Sequence, residues 1–129
     1  REIVALLNDR LADASDLYAQ TKHAHWNVKG SNFYQLHKLF DDLAEIVEGH
    51  VDLLAERATA LGGTALGTGR RAASAKDLRE VPLDRAHDTG GGGGAGGEGS
   101  GLVNELAAHV SRWLSDASLR SIREECSQD

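Results

Sequence analysis

The sequence predicts an all-α protein, an antiparallel helical bundle in a single domain, and three observations carry that expectation. Apolar residues recur at alternating steps of three and four over two long stretches in the first 61 positions. Each stretch ends at glycine, at Lys29-Gly30 and at Gly62-Gly63, and the one proline, Pro82, lies beyond both. The chain has 129 residues, 40% hydrophobic and 26% charged, which supports one modest core and not two.

The first helix is expected over 3–28, with Leu7, Leu11, Ala14 and Leu17/Tyr18 on its apolar face. Lys29 places a cation at its end, and Gly30 tolerates left-handed φ. The second is expected over 33–61, about 43 Å at 1.5 Å per residue, with Asn32 as its cap and Gln35 in capping-box position. Its stripe is Leu36, Leu39/Phe40, Leu43, Ile46/Val47, Val51, Leu54 and Leu61. Gly49 costs this helix about 1 kcal/mol relative to Ala and marks either a close helix contact or nothing. Helices this long, against a mean of about 11–12 residues, favour a bundle.

Residues 64–89 change character, with small residues, a short helix expected at 71–79, and Val81-Pro82-Leu83 extended or in a turn. Nine of the 15 glycines fall within Gly90–Gly101, and the tract 89–101 is expected to act as a flexible linker. A third helical pattern follows in 102–129, through Leu102, Val103, Leu106, Val110, Trp113/Leu114, Ala117 and Ile122, with Asp116 and Arg120 paired at i,i+4. The chain therefore divides into 1–75, the linker 89–101 and the C-terminal helix 102–129, within one domain spanning 1–129. Three long helices rather than four make an incomplete bundle the expectation.

Net charge is −6, and no segment is basic: the first 69 residues carry six cations and ten anions. Affinity for a phosphate backbone is therefore expected to be weak. The single cysteine, Cys126, cannot form an internal disulfide, which suits a cytoplasmic setting, with nucleoid association left open. No apolar run of about 18 residues exists, and residues 1–20 lack a secretory pattern, so no membrane partner is expected. With no Met anywhere, Arg1 reads as other than the native start.

The residues of chemical interest lie between His25 and Glu56. His37 and Asp41 are four apart on the second helix, as are Asp52 and Glu56, so each pair shares a face and can offer two ligand atoms to one ion. Eleven residues separate Asp41 from Asp52, which returns both pairs to one stripe but sets them about 16 Å apart along the axis. One straight helix cannot close them on one ion. Two copies packed antiparallel about a two-fold axis can, because the His37/Asp41 end of one then meets the Asp52/Glu56 end of the other. His25 would reach the same place across a helix contact. Imidazole with carboxylate and no thiolate suits Fe(II), Mn(II) or Zn(II). Solvated helix faces also carry such residues, so spacing alone leaves a structural role open.

The block Thr21-Lys22-His23-Ala24-His25-Trp26-Asn27-Val28-Lys29-Gly30, followed by Asn32-Phe33, Leu36-His37, Phe40-Asp41, Asp52, Ala55-Glu56-Arg57 and Leu61-Gly62-Gly63-Thr64, resembles the Dps family. These are the DNA-binding proteins from starved cells, mini-ferritins of the ferritin-like superfamily. The resemblance covers roughly residues 4–75. It implies a ferritin-like bundle and a ferroxidase centre shared by two subunits, with His25, His37 and Asp41 from one chain and Asp52 and Glu56 from its partner. It implies oxidation of Fe(II) to Fe(III), with hydrogen peroxide favoured over dioxygen, and storage of ferric iron in a dodecameric shell as part of a stress response that protects DNA. Trp26 matches a family tryptophan near the iron that is proposed to quench radicals; core packing is its other reading. Asn27, Lys29 and Gly30 read as loop structure, and His23, His50, His87 and His109 as surface or structural residues.

This chain departs from the family where the glycine tract replaces the expected start of a third bundle helix. A disrupted frame, an engineered linker or a truncated variant would each produce that pattern. The alternatives to a ferroxidase are therefore a structural or nucleoid-associated DNA-binding bundle without activity, or an inactive remnant. A chain with so much of two helical faces to cover is expected to be marginal as a monomer and either to self-associate or to stay partly disordered from about 84 onward.

Overall fold

A computed structural model describes residues 2–74, 87–88, 104, 106–108 and 111. In chain order the elements are α1 (Glu2–Asn27), β1 (Lys29–Gly30), α2 (Phe33–Ala60), α3 (Gly69–Ala73) and β2 (His87–Asp88). The two long helices fall within a residue of their expected bounds. Their apolar stripes meet in two clusters that establish the antiparallel order. Leu7, Leu11 and Ala14 pack with Leu54 and Ala58 at one end. Leu17, Ala24 and Val28 pack with Phe40 and Val47 at the other. The start of α1 thus lies against the end of α2, and the connection at residues 28–32 folds one helix back on the other.

Both glycine stops take left-handed backbone, Gly30 with φ 112° and Gly62 with φ 82°. At the end of α2 the Gly62 and Gly63 amides donate to the carbonyls of Thr59 and Ala58, each at 3.0 Å, which closes a Schellman cap with Gly62 in the position that requires positive φ. Gly63 has a second role that spacing did not indicate: a Cβ there would collide with the Val4 side chain. The expected capping box at the start of α2 is not formed. Asn32 makes no side-chain capping bond, and its φ of −100° and ψ of 19° depart from extended cap geometry. The Leu36 amide donates instead to the Asn32 carbonyl at 3.1 Å.

Gly49 is exposed with nothing near its missing Cβ, so it marks no close contact within the chain. The short helix comes earlier than expected, at Gly69–Ala73; the remainder of 71–79, Val81-Pro82-Leu83 and the tract 89–101 lie outside the described residues. Asn8 ties the segment after α2 to α1, donating from Nδ2 to the Thr64 carbonyl at 3.0 Å and accepting at Oδ1 from the Leu66 amide at 2.9 Å.

Two contacts bring later residues back to the helix pair. β2 runs parallel to β1, with Lys29 opposite His87 and Gly30 opposite Asp88, a pairing the helical pattern did not anticipate. Of the third helical pattern, Asn104, Leu106, Ala107, Ala108 and Ser111 are described and helical. Leu106 is buried in the cluster with Leu17, Phe40 and Val47. The other residues of 102–129, including His109, Asp116, Arg120 and Cys126, lie outside the described residues. α1 also buries an Arg10–Asp13 ion pair, Nη2 to Oδ2 at 3.2 Å.

Candidate metal centre

The end of α1 and the start of α2 cross where the chain turns, and this brings His25 and His37 together. Their rings stack with centroids 3.7 Å apart and planes 20° from parallel. Each imidazole also engages the other residue's backbone: His25 Nδ1 lies 2.6 Å from the His37 carbonyl oxygen, and His37 Nδ1 lies 2.7 Å from the His25 carbonyl oxygen. A carbonyl oxygen can only accept, so both Nδ1 atoms carry the proton and donate it. In a neutral imidazole this leaves the Nε2 lone pair available to a metal, the same device by which backbone carbonyls orient metal-binding histidines. Both histidines are half-buried. Phe33 covers the outer side of the pair, its ring 5.0 Å from that of His37.

Asp41, one turn beyond His37 on α2, joins the pair. Its Oδ1 is 3.9 Å from His25 Nε2. Two donors on one ion at about 2.1 Å each lie no more than about 4.2 Å apart, so this separation fits shared ligation. The same oxygen accepts a hydrogen bond from Lys22 Nζ at 2.6 Å. That bond, with the Lys22 charge and then the nearby His25 and His37, holds the Asp41 carboxyl below the ordinary carboxylate value, against a smaller opposing effect of desolvation. Lys22 is raised in return, chiefly by its bond to Asp41. Next to this pair is an open cleft of about 250 Å³ lined by Tyr18, Lys22, Asp41, Glu45 and Glu48.

The structure does not bring Asp52 and Glu56 to this cluster. Both are exposed on α2, with Asp52 eleven residues and about 16 Å along the axis from Asp41. Among the described residues of the single chain, no three His, Cys, Asp or Glu side chains converge on one position suited to a metal ion. Trp26 is 68% exposed, which corrects the core-packing alternative: following His25 at the end of α1, it faces solvent in the single chain. Asn27 donates to the His23 carbonyl at 2.8 Å and so finishes α1. Lys22 was not singled out from the sequence, although its place one turn before His25 sets a cation on the face of α1 that carries the imidazole.

Residues 4–87 match the family model of the ferritin-like domain. The chain belongs to the ferritin-like family, among its Dps proteins. It is 41% identical over 88 residues to the DNA protection during starvation protein of Agrobacterium fabrum, covering 67% of this chain and 54% of that one. It is 36% identical over 104 residues to the protein of the same name from Brevibacillus brevis, covering 81% of this chain and 64% of that one. The Dps protein of Vibrio cholerae O1, described as a ferritin-like diiron-carboxylate protein, shares the fold, with a TM-score of 0.76 at 24% identity over 98% of this chain and 71% of that one. The chain thus spans between half and two thirds of the length of these two named relatives. No helix among the described residues is long and apolar enough to cross a membrane.

Proposed function

We propose that this Dps-family chain oxidises Fe(II) to Fe(III) and stores the product, with iron as substrate and cargo and hydrogen peroxide as the favoured oxidant over dioxygen. The observation that carries this reading is the reciprocal His25/His37 arrangement, which frees two Nε2 atoms, that of His25 lying 3.9 Å from Asp41 Oδ1. Imidazole nitrogens hold Fe(II), and carboxylates favour the harder Fe(III) as it forms. Two ferrous ions supply the two electrons that turn one peroxide and two protons into two waters. Consuming iron and peroxide together removes the reactants of hydroxyl-radical formation and so protects DNA.

Asp52 and Glu56 of a second copy complete the ligand set. The midpoint of Asp41 and Asp52 on α2 coincides with the midpoint of His37 and Glu56, between Ile46 and Val47. One two-fold axis at that level therefore brings both pairs into register at once, with Asp41 opposite the second copy's Asp52 and His37 opposite its Glu56. Glu45 and Glu48, in the cleft beside Lys22, give cations an acidic approach. The exposure of Trp26 beside His25 supports reading it as the group that would intercept a stray oxidising equivalent. A two-fold contact closes at the dimer, and such dimers would be the units that a second, different contact assembles into a shell. The chain's negative charge gives DNA a minor part as a direct partner, and protection acts through iron.

The test is anaerobic addition of Fe(II) followed by peroxide, with the ferric absorbance recorded for the parent chain and for His37→Ala. Rapid oxidation by the parent and its loss in the variant are expected. Equal traces from the two proteins would sink the ferroxidase reading and favour the DNA-binding bundle or the inactive remnant.

A further inference from the structure

Lys22 lies outside the ligand set, yet its ammonium occupies the Asp41 oxygen that faces His25 Nε2. A 2.6 Å bond between an ammonium and a carboxylate is charge-assisted, and it occupies a lone pair that a metal would need. We propose that Lys22 is a positioning residue that competes with the metal for Asp41. With no metal bound it holds the carboxylate oxygen aimed at the imidazole pair, and it gives up that oxygen as the metal arrives. Lys22 thereby sets the metal concentration at which the site fills. This inference rests on the reading of Asp41 as a ligand.

The local chemistry suits such an exchange. Lysine is a point charge on a flexible four-carbon stem, so it can leave one acceptor for another without moving backbone, which a planar guanidinium in a fork-like contact does less readily. The cleft around it offers Glu45 and Glu48 as alternative carboxylates for the displaced ammonium. The Asp41 side chain is half exposed and that of Lys22 about a quarter exposed, so water reaches the pair and the tie is weak enough for a divalent ion to displace.

The experiment titrates the 129-residue chain and its variants with Zn(II) by calorimetry and with Co(II) by visible absorbance, neither of which depends on iron oxidation. Lys22→Met, which keeps most of the stem and removes the charge, is expected to bind each ion about threefold tighter or more, the scale of an exposed ion pair. Lys22→Arg, whose fork-like contact is harder to displace, should bind no more tightly than the parent. Adding Asp41→Asn to Lys22→Met should erase the gain. Affinity that is unchanged or weaker in Lys22→Met overturns the proposal, as does an equal gain in Lys22→Arg. If Lys22→Met does not fold, Lys22→Gln carries the same comparison. His37→Ala in the same titration separates the two levels: no loss of affinity there means that the site reading itself fails. A loss there without a gain in Lys22→Met rejects the Lys22 competition alone.

Discussion

Asp41 is where the local electrostatics concentrate, because one of its oxygens faces both a cation and an imidazole. Its carboxyl sits below the ordinary value of 3.8, chiefly through the Lys22 bond. A group depressed in the folded state contributes stability above its unfolded pKa and loses that contribution as the pH falls through the folded value. The Lys22–Asp41 tie should therefore hold at neutral pH and open only in acid, below the usual carboxylate range. Carbon-detected NMR titration of the metal-free chain should place the Asp41 midpoint below 3.8, and Lys22→Met should move it upward. An unmoved midpoint would show that another group sets it. The histidines illustrate what residue identity alone leaves open. His25 and His37 were legible as ligand types from sequence, but the available nitrogen depends on which carbonyl each Nδ1 meets, and that follows from how the two helix ends cross.

For the helices, periodicity was a reliable guide because burial of one face is what makes a long amphipathic segment helical in water. Most of the expected stripe residues fill or flank the two core clusters, whereas Leu39, Ile46 and Leu61 of the α2 stripe are exposed. Phe40, fully buried in the cluster with Leu17, Ala24 and Val47, should cost about 3–5 kcal/mol on change to Ala, read as a lowered midpoint in denaturant. The start of α2 was less legible, since Asn32 has the right identity and position for a cap but the wrong backbone angles, and the tight turn from β1 governs those. Gly63 shows the converse. It reads as a helix stop, but its lack of a side chain also lets Val4 of α1 approach. Gly63→Ala should destabilise by about 1–3 kcal/mol, the usual cost of overpacking, and Val4→Ala in the same chain should recover part of that loss. Thermal melts followed by circular dichroism would measure both, and an absence of coupling would rule out the contact as the cause.

At the scale of the whole molecule, the described helix pair leaves a second apolar stripe uncovered on α2. Leu39, Ile46 and Leu53 recur every seven residues and are 39%, 60% and 63% exposed. Seven residues return within about 20° of the same direction, so the three form one face. A continuous exposed face of this kind promotes association. The combined Ile46→Lys and Leu53→Lys variant should elute as smaller species than the parent in size-exclusion chromatography, and an unchanged profile would show that this face is not what drives association. The stripe lies on a different flank of α2 from His37, Asp41, Asp52 and Glu56, so the proposed metal centre would make a separate demand for a second copy. Mixing His37→Ala with Asp52→Ala chains tests that demand: a centre shared between copies regains one intact site in each hybrid pair, visible as restored oxidation of Fe(II). A centre within one chain regains none.

The amino-acid order by itself determined the all-α class, the bounds of the two long helices, the glycine stops and the stripe that holds His37, Asp41, Asp52 and Glu56, because each follows from local periodicity and local backbone freedom. Tertiary structure decided what no spacing contains: the reciprocal imidazole–carbonyl bonds, the Lys22 claim on Asp41, the Gly63–Val4 approach, the β1–β2 pairing and the return of Leu106 to the core. Each of these joins residues far apart in sequence or on different elements. Their positions are set by how two amphipathic faces pack and how the chain turns between them, and neither is encoded within a single helical repeat.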